Sequence, residues 1–331
     1  MKAVVCRQYG LAHARLESVE SRPLAAGEVR IAVKASGVSF ANLLVIEGKH
    51  QNRANPPFTP GTEVAGIVLE CGPAVLQFKV GDRVVAGVRN GGHAEEVIAP
   101  EGTVFALPDA VDFASASHFP TLYATAYAAL HWRAALQPGE TLLVHGAAGG
   151  SGLAAVEIGR QLGARVIAVA SSPAKVEATL RHGADLAINH REVDFRQAVL
   201  EATSGRGADV IFDPVGGSVF DQSLRCIAPE GRILPIGFAG GTIPQIPANL
   251  LLVKNISALG LYWGYYMGWA HQAPPAGMTP RLRAAFAQML EWAAQGHLKP
   301  ETHATLPLAC FREALQNLAN RDVIGRIVLA P

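Results

Sequence analysis

The chain has 331 residues, half of them hydrophobic, a length that suits about two domains with sizeable cores. Lys plus Arg number 28 against 27 Asp plus Glu, a net charge of +1 with no basic run, so neither nucleic acid nor an acidic membrane surface is an expected partner. Cys6, Cys71, Cys226 and Cys310 are dispersed, which excludes a dense disulfide framework and a close zinc-binding pair.

The opening MKAVVCRQYG passes directly into a strand-like pattern and lacks an apolar core with a cleavage site, so a cytoplasmic location is expected. Alternation at Val29, Ile31 and Val33 begins a mostly β half, continued by runs at Val64 to Leu69, Val84 to Val85 and Glu96 to Ile98. Gly27, Gly81 and Asn90-Gly91-Gly92 punctuate it as turns, and only short helical pieces such as Ala41 to Glu47 precede residue 112. This half is predicted to be a compact barrel-like domain.

After about Phe119, strands alternate with helices. Six strands are expected, at Thr141 to Val144, Arg165 to Ala170, Leu186 to Asn189, Asp209 to Phe212, Arg232 to Ile236 and Ser257 to Leu261. Helical stretches between most of them supply the crossovers of a doubly wound parallel sheet, so the fold class is α/β. The uncharged stretch Ile233 to Val253 contains Pro235, Pro244 and Pro247, which would break a membrane-spanning helix. A helix with apolar Leu282, Phe286, Met289, Leu290 and Ala293, another near Phe311 to Leu318, and a strand at Ile327 to Leu329 end the chain and are expected to rejoin the first domain.

The most specific signal is TLLVHGAAGGSGLAAVEIGRQLGARVIAVASSPAK, from Thr141 to Lys175, which reads as strand, glycine turn, helix, second strand. The glycines let the backbone approach a pyrophosphate, and the free amides and positive dipole end of the following helix favour its charge. NAD sites place Asp or Glu about 20 residues beyond the first glycine to hold the ribose hydroxyls. No carboxylate stands between Arg160 and Val176; the second strand instead runs into Ser171, Ser172, Pro173 and Lys175. Hydroxyls and an ammonium suit a 2'-phosphate, so the expected cofactor is NADPH.

PGTEVAG at Pro60 to Gly66, GDRV at Gly81 to Val84, ATAYAAL at Ala124 to Leu130, VHGAAGGSG at Val144 to Gly152 and DPVGG at Asp213 to Gly217 occur in one order. With these motifs the chain resembles, over essentially its whole length, the zinc-free quinone oxidoreductases of the medium-chain dehydrogenase/reductase superfamily, the group that includes zeta-crystallin. The segment Phe238 to Gly264 is similar to the branch called quinone oxidoreductase-like protein 2. The resemblance implies a GroES-like catalytic domain from both chain ends (1–122 and 265–331), an inserted Rossmann domain (123–264), a cleft where they meet, and a homodimer. It also implies cofactor contacts: Thr125 with the nicotinamide; Gly149, Gly150, Ser151 and Gly152 with the pyrophosphate; and Val215, Gly216, Ile236, Gly237 and Phe238 with the nicotinamide half. For the 2'-phosphate it implies Ser171, Lys175, His190 and Arg321. Where the family has Tyr after Ile-Asn, this chain has His190.

Zinc-dependent relatives carry Cys before Gly in the first catalytic loop and His in PGHE; this chain has Ser36 and Thr62, so no metal is expected. The remaining chemistry is hydride transfer to an acceptor that is already electrophilic, a quinone or similar activated carbonyl, with positioning as the main contribution. The rival reactions are reduction of an enone or a 2-enoyl compound. A rival of another class is a non-catalytic NADPH-binding sensor or RNA-associated protein.

In the loop Ser36 to His50 the chain has Ser39, Asn42, Ile46 and His50 where the family has Asn, Asp, Arg and Tyr. Asn42 could orient a carbonyl oxygen and His50 could donate a proton near neutral pH. Phe40, Tyr262 and Trp263, with Tyr265 and Tyr266, could wall an aromatic acceptor site.

Overall fold

The computed structural model describes residues 1–50 and 53–331. The chain divides into two compact units, one made of Met1–Ala124 with Gly264–Pro331 and one of Thr125–Trp263.

The first unit opens with an antiparallel pair, β1 (Lys2–Cys6) and β2 (Ala14–Ser18). Its main sheet is centred on β3 (Glu28–Val38), where Val29, Ile31 and Val33 are buried and the intervening side chains are more open, as a half-buried strand of period two requires. β3 pairs antiparallel with β4 (Glu63–Cys71), which pairs with β5 (Arg83–Gly87); β6 (Glu96–Pro100) lies on β3, and β7 (Val104–Ala106) on β5. Between β3 and β4 a short helix, Phe40–Ile46, begins at the N-cap Ser39.

The second unit is a parallel six-stranded sheet of β8 (Thr141–Val144), β9 (Arg165–Ala170), β10 (Leu186–Asn189), β11 (Ala208–Asp213), β12 (Ile227–Pro235) and β13 (Ser257–Ala258). Their order is β10-β9-β8-β11-β12-β13, so the chain reverses direction across the sheet between β8 and β11. Every residue of β8 and β11 is buried, as strands covered by helices on both faces must be. Leu143, Ile167, Ile188, Ile211, Phe220 and Ile233 belong to one core cluster.

The chain then returns to the first unit. Helix Met278–Ala294 buries Leu282, Phe286, Met289 and Leu290, with the Phe286 ring stacked on Phe105 at 3.6 Å between centroids. β14 (Thr302–Pro307) and β15 (Arg326–Ala330) follow, and β15 joins the open flank of β3.

Two expected spans shift by three residues or more. β12 begins at Ile227 rather than Arg232, and β13 ends at Ala258 rather than Leu261. Among the described residues, no helix is long and apolar enough to cross a membrane.

Candidate active site

Within the parallel sheet, the expected cofactor residues come together for a topological reason. Gly149–Gly152 follow β8, Ser171 follows β9, His190 follows β10, Val215 and Gly216 follow β11, and Ile236–Phe238 follow β12. In a parallel sheet these are all carboxyl ends of strands, the edge at which open α/β sheets bind their ligands. Tyr262 and Trp263 follow β13; Tyr262 is exposed, and Trp263 is buried with its ring 6.3 Å from Trp132. Thr125 lies in the helical turn Ala124–Tyr127.

The turn after β8 is held by its neighbours. His145 N–H donates to Phe212 O at 3.0 Å on β11, and Ala147 N–H to Val169 O at 3.0 Å on β9. Gly149 is the N-cap of helix Gly150–Gln161 and makes no side-chain cap, so the first-turn amides are left for a ligand. Gly152 is fixed by space: a Cβ there would lie 2.3 Å from Gly146 O and 2.6 Å from Ala147 Cα. The helix can therefore close on the turn only with glycine at this position.

Lys175 occupies the first turn of helix Pro173–Arg181, whose N-cap Ser172 accepts the Lys175 N–H through Oγ at 3.4 Å. His190 is exposed, and its N–H donates to Ala170 O at 3.0 Å, which places it beside Ser171 at the end of β9. The glycine cradle and the polar strand end thus fit a dinucleotide.

Asp213 ends β11 and opens the DPVGG motif, but the sequence reading gave it no task of its own. Its Oδ1 accepts N–H bonds from Val215 at 2.8 Å and Gly216 at 3.0 Å, and its Oδ2 is buried without a partner. Burial pushes this carboxyl up, against the pull of those two amides. Its carbonyl accepts the Ile236 N–H at 2.8 Å, and Gly240 N–H donates to Val215 O at 2.8 Å. One aspartate therefore ties together the turns that carry Val215, Gly216 and Ile236–Phe238.

His145 is buried beneath the same edge, its Nε2 hydrogen-bonded to Ser223 Oγ at 2.8 Å. Burial first, and then the charge of His190, push its pKa down to about 3, so it is neutral.

In the first unit, Phe40 opens helix Phe40–Ile46 and is exposed, while His50 is partly exposed just beyond that helix. Asn42 has a different task from the expected one. It is 1 % exposed, and its Oδ1 accepts from Ser39 N at 2.8 Å and Ser39 Oγ at 2.9 Å, while Ser39 Oγ accepts the Asn42 N–H at 3.2 Å. Burial withholds the side chain from a substrate's carbonyl oxygen, and the reciprocal cap makes Asn42 a brace for the helix start. Arg321 lies just beyond helix Phe311–Ala319, with φ +61°.

Beneath the first loop lies a buried polar cluster. Arg326 donates through Nη2 to Glu63 Oε1, and through Nε to Val38 O at 3.1 Å. Thr121 donates to Glu63 Oε2 through its Oγ1 and, at 3.1 Å, through its N–H. Burial raises the Glu63 pKa, with Arg326 and Thr121 opposing the rise. Ser36 Oγ is hydrogen-bonded to His93 Nδ1 at 2.9 Å; burial and the Arg326 charge push His93 down to about 3 and His118 well below the ordinary imidazole value. Gly37 makes room for this arginine, since a Cβ there would meet Arg326 Cζ at 2.5 Å.

This donor set does not fit zinc. Ser36 and Thr62 offer neutral hydroxyls where a thiolate and an imidazole would be needed, and Glu63 is engaged by Arg326. Among the described residues, no group of three or more His, Cys, Asp or Glu is placed to hold a metal ion.

Comparison with known proteins agrees with this architecture. Residues 25–109 match the alcohol dehydrogenase GroES-like domain, and residues 150–276 match the zinc-binding dehydrogenase family. The chain is 40 % identical to the quinone oxidoreductase-like protein 2 homolog of Nematostella vectensis, over 99 % of this chain and 88 % of that one. It is 38 % identical to quinone oxidoreductase-like protein 2 of Bos taurus, over 95 % of this chain and 88 % of that one. The crystal structure of Escherichia coli quinone oxidoreductase complexed with NADPH superposes with a TM-score of 0.91 at 26 % identity, covering all of both chains. The chain belongs to the quinone oxidoreductase-like family of the medium-chain dehydrogenase/reductase superfamily.

Proposed function

We propose that the protein is an NADPH-dependent, metal-independent reductase of quinones or similarly activated carbonyl compounds. The observation that carries this reading is the end of β9. Beside the glycine turn it leads into Ser171, Ser172 and Lys175, with His190 alongside and no carboxylate from Arg160 to Val176. The similar Escherichia coli protein, whose structure is an NADPH complex, supports the same cofactor.

When bound, the cofactor supplies a hydride. The chain supplies the rest. Amides of Gly149–Gly152 hold the pyrophosphate; Ser171, Lys175 and His190 hold the 2'-phosphate; Thr125, Val215, Gly216 and Ile236–Phe238 orient the nicotinamide. Tyr262, just beyond β13, offers an exposed ring to an acceptor. With hydroxyls at Ser36 and Thr62, the protein has no Lewis acid of its own to polarise a simple carbonyl, so the acceptor must be electrophilic beforehand.

The assembly belongs to this reading as a homodimer. β13 is an open edge of the parallel sheet, and the uncharged segment before it exposes Ile243, Leu252 and Val253, a surface that a second copy can cover without desolvating charge. Light scattering should give twice the 34.8 kDa chain mass, and Leu252→Arg should yield monomer. A parent protein that is already monomeric overturns this assembly.

The activity is tested by following NADPH oxidation with quinones, small enones and enoyl thioesters in parallel. Turnover with quinones is expected. Turnover only with enones or enoyl thioesters overturns the quinone assignment; tight NADPH binding without turnover on any acceptor makes the protein a cofactor-binding sensor instead.

A further inference from the structure

We infer that Asp213 is a positioning residue for hydride transfer: from beneath the sheet edge it holds the turn after β11 against the turn after β12, and so fixes the backbone against which the nicotinamide ring lies. The inference rests on the cofactor reading above and adds to it a residue that acts on the ring only through other residues.

The local sequence creates the need for such a brace. Asp213 ends a strand that is buried throughout, and the chain must leave the sheet there to enter helix Gly217–Ser223. It does so through two left-handed residues, Gly216 at φ +74° and Gly217 at φ +54°. Amides in a turn of this kind have no neighbouring strand to bond with, and a short carboxyl side chain at the first residue can reach them. Oδ1 of Asp213 takes two, from Val215 at 2.8 Å and from Gly216 at 3.0 Å.

The second turn is fastened to the first through the backbone. The carbonyls of Asp213, Pro214 and Val215 accept the N–H groups of Ile236 at 2.8 Å, Ala239 at 3.1 Å and Gly240 at 2.8 Å. Packing between the turns is close, since a Cβ at Gly216 would lie 3.0 Å from Thr242 O and 3.1 Å from Phe238 Cδ1. Three consecutive carbonyls therefore carry residues 236–240, and their direction depends on the side chain that pins Val215 and Gly216. That side chain is 0 % exposed, with Oδ2 unpartnered. An apolar residue would avoid the cost of burying it, so the two amides it satisfies are what the position retains it for.

The hydride passes from C4 of NADPH to the acceptor with its electron pair, leaving NADP+, and solvent supplies the proton. Its rate depends on near-attack geometry, and a displacement of about 1 Å costs on the order of a hundredfold. Affinity is spread differently, over Gly149–Gly152, Ser171 and Lys175, which follow other strands. Loss of Asp213 should therefore slow transfer far more than it weakens binding, a split that a residue serving only the stability of the fold would not produce.

The test compares the parent with Asp213→Ala, Asp213→Ser and Asp213→Asn, each checked by circular dichroism. Without cofactor, hydrogen exchange at the Val215 and Gly216 amides should be at least about tenfold faster in Asp213→Ala. Single-turnover transfer is then followed with whichever quinone, enone or enoyl thioester the parent reduces fastest. Asp213→Ala should slow it roughly thirty- to a hundredfold and change the dissociation constant of NADPH by less than about threefold. Asp213→Ser keeps one shorter acceptor and should fall between parent and Asp213→Ala; it decides the matter if the alanine variant does not fold. Asp213→Asn keeps an oxygen for both amides and should recover transfer to within about fivefold of the parent. Unchanged exchange or an unchanged transfer rate in a folded alanine or serine variant, a loss confined to binding, or an asparagine variant as slow as alanine overturns the role of Asp213 and leaves the cofactor reading standing. A parent that fails to bind NADPH, or that reduces none of the acceptors, overturns the functional reading and this inference with it.

Discussion

Replacing Gly152 by alanine tests whether the glycine turn is built around a pyrophosphate. The added Cβ would sit 2.3 Å from Gly146 O, 2.6 Å from Ala147 Cα and 2.8 Å from Ala147 C, all backbone atoms of the turn. An ordinary contact needs about 3.4 Å, so helix and turn must separate by about 1 Å. Overpacking of this kind costs roughly 1–3 kcal/mol of stability. A displacement of about 1 Å at a positioned group costs on the order of a hundredfold in its use, so Gly152→Ala should bind NADPH about a hundredfold more weakly.

Gly149→Ala is the matched control. Gly149 has φ −78°, open to any residue, and its Cβ would meet Gly146 O at 3.4 Å, an ordinary contact. The stability of this variant should stay within about 0.5 kcal/mol of the parent, which separates the backbone clash at Gly152 from the mere addition of a methyl group. Both dinucleotides share the pyrophosphate, so Gly152→Ala should weaken NADH to the same degree. Fluorescence titration with both cofactors, alongside thermal melting, reads these effects. A folded Gly152→Ala that binds both as tightly as the parent refutes the assignment of the turn.

Lys175→Ala should weaken NADPH about tenfold and change NADH by less than about twofold, because only NADPH has the extra phosphate; equal losses in titrations with the two cofactors would contradict the assignment of Lys175. Glu63→Gln should destabilise the first unit by roughly 3–5 kcal/mol in urea unfolding, because it strands the buried Arg326 guanidinium; a loss under about 1 kcal/mol would show that the pair contributes little. His93 and His145 have native pKa values pushed down to about 3, so in acid the unfolded chain takes up protons that the native chain refuses. Their contribution to stability is complete above about pH 6.5 and is lost progressively as pH falls from there toward 3, about 2 kcal/mol for each histidine between pH 7 and pH 5. Urea midpoints measured across that range should fall accordingly, and His145→Gln should fall less steeply than the parent.

The sheet edge that gathers the candidate cofactor residues was legible because it is written locally. Strand, glycine turn and helix occupy consecutive residues, and a parallel sheet necessarily carries each strand's following turn to one edge, so Ser171, His190, Val215 and Ile236 converge without any tertiary knowledge. What was hidden depends on distant partners. Glu63 and Arg326 are 263 residues apart, and only the adjacency of β15, β3 and β4 brings them together; the available hint was a lone carboxylate at the start of the apolar run Val64 to Leu69. Asn42 stands where the family has Asp and was read as a candidate for orienting a substrate, but the capping pattern of Ser39 with a polar residue three places on was the stronger local signal. β14 escaped because its residues alternate only between partly and fully exposed, leaving no buried stripe to detect.

The central claim is a metal-independent transfer of reducing equivalents from NADPH to an activated carbonyl acceptor. It is tested most directly by mixing chelator-treated protein, checked for metals by elemental analysis, with NADPH and a quinone, and following the nicotinamide absorbance. The account predicts quinone-dependent loss of that absorbance at a rate unchanged by the chelator, and a much slower loss with NADH. Activity that disappears with the chelator and returns on adding zinc would contradict it.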